Sequence, residues 1–274
     1  MKVFVLGSNG MLGRYVSTYF KSKEFNVVNI TRKELDVLFL REEELRSKLF
    51  FLNLREGDVV INCIGMIKQR KDIDDLEFIY INSMFPRVLA NVCESEKVNM
   101  IHPTTDCVFD GLGGKYNESD LHNATDVYGK SKSLGEPTNA TIIRTSIIGE
   151  EVGQSRSLVE WVKSNKGKEI NGFTNHKWNG ITCLQFSILC HFIIDNNLYW
   201  KGVKHIFSPT TLTKCELTNI ISDIYELDIT INQYETDILC DRSLSTIHEI
   251  NIPIPELAEQ IKDMKEYYPT LVVN

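Results

Sequence analysis

Short apolar runs of strand length and stretches of helical spacing take turns along the first 150 or so residues, and the pattern loosens after that. Residues 3–6 (VFVL) have no polar break, the mark of a parallel strand covered on both faces. Residues 14–23 continue as a helix, residues 26–30 (NVVNI) as a second strand, and residues 41–51 as an acidic helix. Residues 58–64 (DVVINCI) form a strong buried-strand signal that ends at Gly65 and counts as the fourth strand. Residues 78–97 have helical periodicity. Residues 99–103 are another strand, leading into Thr104, Thr105 and Asp106. Residues 108–120 (VFDGLGGKYNESD) read as a polar loop, residues 128–136 (YGKSKSLGE) begin a helix, and residues 141–148 (TIIRTSII) are the sixth strand. This alternation predicts an α/β fold, a Rossmann-type doubly wound parallel sheet.

Beyond Glu150 the predicted elements are helices at 157–165, 184–195, 217–225 and 255–267, and a strand at 202–207. Residues 170–179 (INGFTNHKWN) have no clear period. The expected organisation is an NAD(P)-binding domain over 1–149, to which some later segments return. Residues 150–274 are mostly a smaller substrate-binding lobe that does not fold alone.

Gly7, Gly10 and Gly13 lie between the first strand and its helix. In a dinucleotide-binding unit, the first glycine makes the tight turn. The second lets a pyrophosphate approach the backbone, and the third lets the helix pack closely on the strand. The helix N-terminus then offers free N–H groups to phosphates. Gly7, Asn9, Gly10, Met11, Leu12 and Gly13 are the expected cofactor contacts there. The residues after the second strand lie beside the adenosine ribose, and an acidic residue would repel a 2′-phosphate. Here they are Thr31, Arg32 and Lys33, followed by Asp36 and Val37. Two cations and a hydroxyl favour NADP(H), with NAD(H) left open; exposed loop charges are the other reading. Cys63, Ile64 and Gly65 end a strand at the sheet edge that faces the cofactor.

Tyr128 and Lys132 are four apart and share a helix face. A phenol has a pKa of about 10. A neighbouring ammonium favours the phenolate and lowers that value. Tyr128 is then a general acid for a carbonyl oxygen, Lys132 bonds the cofactor ribose, and Thr105 orients the same oxygen.

Composition narrows the class. The 274 residues are 42% hydrophobic and 24% charged, with net charge −7, which speaks against nucleic acid as a partner. No apolar run has membrane-span length, so no membrane association is expected. The N-terminus enters a strand directly, unlike a signal peptide. Seven scattered cysteines without CxxC pairs suit free thiols in the cytoplasm, and no ligand cluster asks for a metal.

These motifs together are GSNGMLG at 7–13, TTDCVFDG at 104–111, YGKSK at 128–132, and Arg144 in the sixth strand. With them the chain resembles an extended short-chain dehydrogenase/reductase, and within that superfamily the dTDP-4-dehydrorhamnose reductase group. The resemblance implies Thr105, Tyr128 and Lys132 as the catalytic trio. It also implies cofactor contacts from Asn82 and from Cys63, Ile64 and Gly65. Dehydratases of the superfamily carry Asp-Glu after the catalytic Thr. Here Cys107 follows Asp106, which points to simple reduction, while Cys107 departs from the tyrosine often found there. Asn175, His176, Trp178 and Asn179 fall where the subgroup binds the sugar nucleotide, with Asp106 and Thr105 on the other side. A structured loop with Trp178 closing the lobe interface is an equal reading. Lys68, Arg70 and Arg156 are ambiguous between phosphate contacts and solvated charges. The implied substrate is a nucleotide-linked 4-keto-6-deoxy sugar, reduced at C4 in deoxysugar and polysaccharide biosynthesis. A dTDP carrier is the default and a UDP-linked N-acetylhexosamine the rival. Related proteins dimerise through helices of the sheet domain, but no apolar stripe here is surplus to core packing, so a homodimer stays open. The regulatory subunit of methionine adenosyltransferase resembles the same group, which keeps a non-catalytic NADP-binding role in view.

Overall fold

Side chains of β1 (Lys2–Leu6) alternate between two cores. Phe4 and Leu6 enter one, Val3 and Val5 the other, all fully buried. Each such side chain contributes about 1.5–3 kcal/mol, so the run can only be a central strand. The computed structural model describes residues 1–68, 74–153, 155–249 and 251–273. After β1 come α1 (Met11–Ser22), β2 (Asn26–Ile30), α2 (Glu42–Phe51), β3 (Val59–Asn62) and α3 (Asp75–Ile79). A π-helical turn, Tyr80–Met84, joins α3 to α4 (Phe85–Ser95). Next are β4 (Asn99–Thr105), α5 (Val127–Leu134), β5 (Thr141–Thr145) and β6 (Ile147–Ile148). The rest comprises α6 (Leu158–Lys163), β7 (Glu169–Phe173), β8 (His176–Trp178), β9 (Ile181–Thr182), α7 (Cys183–Asp195) and β10 (Gly202–His205). It ends with β11 (Leu212–Thr213), α8 (Lys214–Tyr225), β12 (Thr230–Tyr234), β13 (Cys240–Asp241) and α9 (Leu257–Val273).

Among the described residues, six strands form one parallel sheet in the order β10-β5-β4-β3-β1-β2. Leu45 and Leu49 of α2 and Leu89 and Val92 of α4 cover one face. Val16 and Phe20 of α1 and Phe186, Leu189 and Ile193 of α7 cover the other. The sheet thus takes its sixth strand and one covering helix from beyond residue 150.

Two strand assignments change. Among the described residues no strand lies between Ile30 and Val59, so β3 is the third strand of the chain and not the fourth. Leu35 and Val37 reach the core from a turn held by side-chain bonds of Glu34 and Asp36. Residues 141–148 split after Thr145: β5 stays in the main sheet, and β6 pairs with β9 instead. The sequence order of strands reverses between β1 and β3, which puts the ligand crevice outside their carboxyl ends.

Candidate active site

The crevice is built on the turn after β1. Gly7 has φ +74°, and its N–H donates to the Ile30 carbonyl at 2.8 Å. A Cβ on Gly13 would collide with the Gly7 carbonyl, so α1 can start here only on glycine. Gly10 caps α1 without a side-chain bond, which leaves first-turn N–H groups for an anion. Asn9 is exposed at the tip, and Met11 and Leu12 are half-buried. Cys63 and Ile64 close against Gly7 from the loop after β3. This cradle fits a dinucleotide pyrophosphate.

At the end of β2, Thr31 is held by Glu34, its hydroxyl donating to Oε2 at 2.5 Å and its N–H at 2.8 Å. Those two bonds keep the Glu34 carboxyl below its usual range. Arg32 pairs with Asp36 at 3.1 Å, both side chains more than half exposed. Such a pair is worth at most about 1 kcal/mol, so the guanidinium is free to turn to another anion. Val37 is buried in the core.

Of the predicted trio, Thr105 ends β4, and Tyr128 and Lys132 stand on α5. Thr105 Oγ1 accepts the Cys107 N–H at 3.1 Å and donates to Asp106 Oδ1 at 3.0 Å. Asp126 caps α5 by accepting the Gly129 N–H at 3.0 Å, which sets Tyr128 and Lys132 on one face. Tyr128 lies beside Thr105, whose hydroxyl acts on its phenol. Lys132 is buried, and its Nζ lies 2.9 Å from where a Gly65 Cβ would stand. Asn82 is fully buried in the π-helical turn. It accepts the Met66 N–H at 2.9 Å and donates to Met66 O and Ser131 Oγ, both at 3.1 Å. It therefore ties the loop after β3 to α5, and its bonds go to the chain itself.

The electrostatics differ from expectation. Burial pushes the Tyr128 phenol up, helped by Cys107 and Asp106, while the Thr105 hydrogen bond acts the other way. Lys132 is not among the dominant influences on it. Lys132 itself is pulled down to about 8 by burial, against the field of Glu136. His102, buried beneath, is pulled down to about 3 by burial and by Lys132.

Behind the trio lies an ion pair that sequence reading touched only at Arg144. Arg144, 2% exposed, donates to both Glu136 oxygens at 3.1 and 2.5 Å. It also donates to His205 Nε2 and His122 Nε2, each at 2.7 Å, so both rings accept there and are neutral. Burial first, and the Arg144 charge as well, hold both histidines below their usual pKa. Thr104 donates to Glu136 Oε1 at 2.9 Å.

The predicted substrate contacts are dispersed. Asn175 exchanges hydrogen bonds with Thr236, and His176 Nε2 lies 2.9 Å from Thr236 Oγ1. Asn179 spends its amide on Leu244, donating to its carbonyl and accepting its N–H, both at 2.8 Å. Trp178 is buried, with the Lys214 ammonium 4.9 Å over its ring. Asp106 is buried beside Thr105, and burial raises its carboxyl. Lys68 pairs with Asp126 at 3.0 Å, and the Arg156 N–H donates to Glu151 Oε2. Arg70 lies outside the described residues. Sequence reading missed Lys214 and Arg242, both within electrostatic range of Asp106 and Cys107. Among the described residues no group of three or more His, Cys, Asp or Glu is placed to hold a metal, and no helix is long and apolar enough to cross a membrane.

A glycine turn at the β1/β3 crevice, with a Tyr–Lys helix and a Thr-ended strand beside it, defines an extended short-chain dehydrogenase/reductase. The family model described as the RmlD substrate binding domain matches residues 1–170, and the chain belongs to that family. It is 27% identical to a probable low-salt glycan biosynthesis reductase of Haloferax volcanii, over 88% of this chain and 85% of that one. It is 28% identical to a dTDP-4-keto-6-deoxy-D-glucose reductase of Streptomyces niveus, over 52% of this chain but only 51% of that one. A solved dTDP-4-dehydrorhamnose reductase of Bacillus anthracis, in complex with NADP, shares the fold. Its TM-score is 0.79 at 18% identity, covering 97% of this chain and 99% of that one.

Proposed function

We propose that this chain reduces the C4 keto group of a nucleotide-linked 4-keto-6-deoxy sugar with NAD(P)H, NADP(H) favoured, in deoxysugar and polysaccharide biosynthesis. The observation that carries the reading is Tyr128 beside Thr105, with Lys132 one helical turn on reaching Gly65 in the loop that closes the glycine cradle. The reductase names of the relatives from Haloferax volcanii and Streptomyces niveus, and the NADP in the Bacillus anthracis structure, support it. The cradle at Gly7–Gly13 and the uncapped start of α1 would hold the cofactor pyrophosphate, with Arg32 and Lys33 at the ribose end. Bound there, the cofactor supplies hydride.

The residues of the chain supply the proton and its control. A phenol held above its usual pKa keeps its proton at neutral pH, as a general acid must before the carbonyl oxygen gains charge. Thr105, beside that phenol, would turn its hydroxyl from Asp106 to donate to the same oxygen. Lys132, pulled down only to about 8, is mainly charged at pH 7 and would hold the cofactor ribose. Asp106 is followed by Cys107, so no carboxylate stands at that position for an elimination.

The test is loss of NADPH absorbance with dTDP- and UDP-linked 4-keto-6-deoxy sugars, with and without a 2-acetamido group. Wild type is run beside Tyr128→Phe. Turnover of one substrate, lost at least about 100-fold in the variant, is expected from the removal of a general acid. Tight NADPH binding without turnover of any panel member would refute the reading.

A further inference from the structure

Three strands of a small sheet, in the order β11-β8-β13, bring Lys214, Trp178 and Cys240 together, and Lys214 feels Asp106, the residue after β4. Trp178 pairs with Leu212, two residues before Lys214, and this register brings the lysine to the indole. The ammonium stands 4.9 Å above the ring. Asp106, Cys107, Cys240 and Arg242 are the ionisable groups that act on it most strongly. Among the described residues none of them makes an ion pair or hydrogen bond with Lys214. Arg242 is already engaged, with Nε on the Phe109 carbonyl at 2.9 Å and Nη2 on the Asp110 carbonyl at 3.1 Å. Asp106 is engaged too, by Thr105. Lys214 is therefore a sheltered cation with an aromatic floor, beside a second cation and without a bonded carboxylate. A desolvated ammonium of this kind is costly unless an anion meets it.

The position of this cation selects the anion. In a pyranose, C1 and C4 stand at opposite ends of the ring. A sugar whose C4 oxygen reaches Thr105 and Tyr128 carries its anomeric phosphate at the far end of the ring, and Lys214, a lobe cation within the field of Asp106 and Cys107, is the group set to meet it. Resting on the function proposed above, we infer that Lys214 is a specificity-determining residue that binds the diphosphate of the nucleotide sugar, with Trp178 as its floor. A carboxylate on the sugar would meet the same ammonium, and the two sources are separable.

The experiment is calorimetry on the protein loaded with NADP⁺, comparing wild type, Lys214→Met and Lys214→Arg. The ligands are dTDP, UDP, thymidine, UDP-glucose and UDP-glucuronate. Lys214→Met keeps the stem over Trp178 and removes only the charge. The expected result is about 10- to 100-fold weaker binding of both dTDP and UDP in Lys214→Met, the worth of a charge-assisted bond. Lys214→Arg keeps most of the affinity, and thymidine is indifferent to either change. With a turned-over substrate, Lys214→Met raises KM and leaves kcat nearly unchanged. Equal dTDP and UDP affinity in wild type and Lys214→Met overturns the inference. So does a wild-type preference for UDP-glucuronate over UDP-glucose that Lys214→Met abolishes while UDP itself is unaffected. If wild type binds neither dTDP nor UDP, the nucleotide-sugar reading itself falls, and this one with it.

Discussion

Replacing Glu136 by Gln removes one charge from the buried pair behind the proposed active site and leaves its volume intact. Both partners are sequestered, with 6% and 2% of the Glu136 and Arg144 side chains exposed. The carboxylate takes two Arg144 bonds and one from Thr104. A Gln oxygen can keep one of the Arg144 bonds. Loss of the other, charge-assisted, is worth about 1.5–3 kcal/mol. The guanidinium is then left with two neutral imidazoles and the face of Phe109, 5.3 Å away. The total should be about 3–4 kcal/mol, inside the range for breaking one side of a buried pair. With a urea slope of about 3 kcal/mol per molar, the midpoint falls by roughly 1 M. The same charge raises the Lys132 pKa. The variant should therefore also move the alkaline limb of activity to lower pH. A double variant, Glu136→Gln with Arg144→Met, should lose less than the sum of the single losses. A midpoint shift below roughly 0.3 M at unchanged slope, with an unchanged pH profile, would refute the reasoning.

Lys132 should set that alkaline limb in the wild type: activity falls as pH rises through about 8, where the buried ammonium loses its proton, and a flat kcat between pH 7 and 9.5 would contradict this. His102, His122 and His205 all have folded pKa values depressed chiefly by burial. Above the ordinary histidine range, near pH 6.5, their contribution is fully present. As pH falls below that range the unfolded chain takes up protons that the folded chain refuses, so stability drops, for His102 down to about pH 3. The urea midpoint should therefore decline between pH 6.5 and 4.5, less steeply in His102→Gln. Gly13→Ala should abolish NADP(H) binding measured by fluorescence, because the new methyl meets the Gly7 carbonyl and must displace the turn. Wild-type affinity in that variant would show that the cradle is not the cofactor site.

What could be read from the residues and what could not divides along the range of the interactions involved. β1 and β3 were legible because unbroken apolar runs report their own burial on both faces. Tyr128 and Lys132 were legible because helix geometry turns a spacing of four into a shared face. The strand count ran one too high because the segment after β2 buries Leu35 and Val37 from turns held by Glu34 and Asp36, not from a strand. The Arg144 cluster draws on residues 122, 136, 144 and 205, and no local window contains more than two of them. Lys214 was invisible for the same reason: its neighbours are at 106, 107, 178, 240 and 242. The lobe strands are two to five residues long, and β12 is mostly exposed, too short and too polar to leave a period.

That long-range wiring has a functional consequence. The short strands of the lobe do not by themselves fix Lys214 against Thr105; the chain between β4 and α5 does. Arg242 bonds Phe109 and Asp110, and Lys115 donates its N–H to Ser243 Oγ at 2.9 Å. Tyr116 exchanges backbone bonds with Ser243 and Ser245 and stacks on Phe109 with centroids 4.2 Å apart. Phe109 in turn carries the Arg144 guanidinium on its face. One loop thus connects the proposed proton donor, the buried ion pair and the proposed diphosphate lysine. A cavity that must hold a sugar by both ends tolerates little misplacement of either end, since displacements of about 1 Å cost on the order of 100-fold in rate. Weakening the clamp at a residue that touches no ligand, as in Tyr116→Ala, should therefore lower kcat and raise KM together. Lys214→Met, by contrast, should move KM alone.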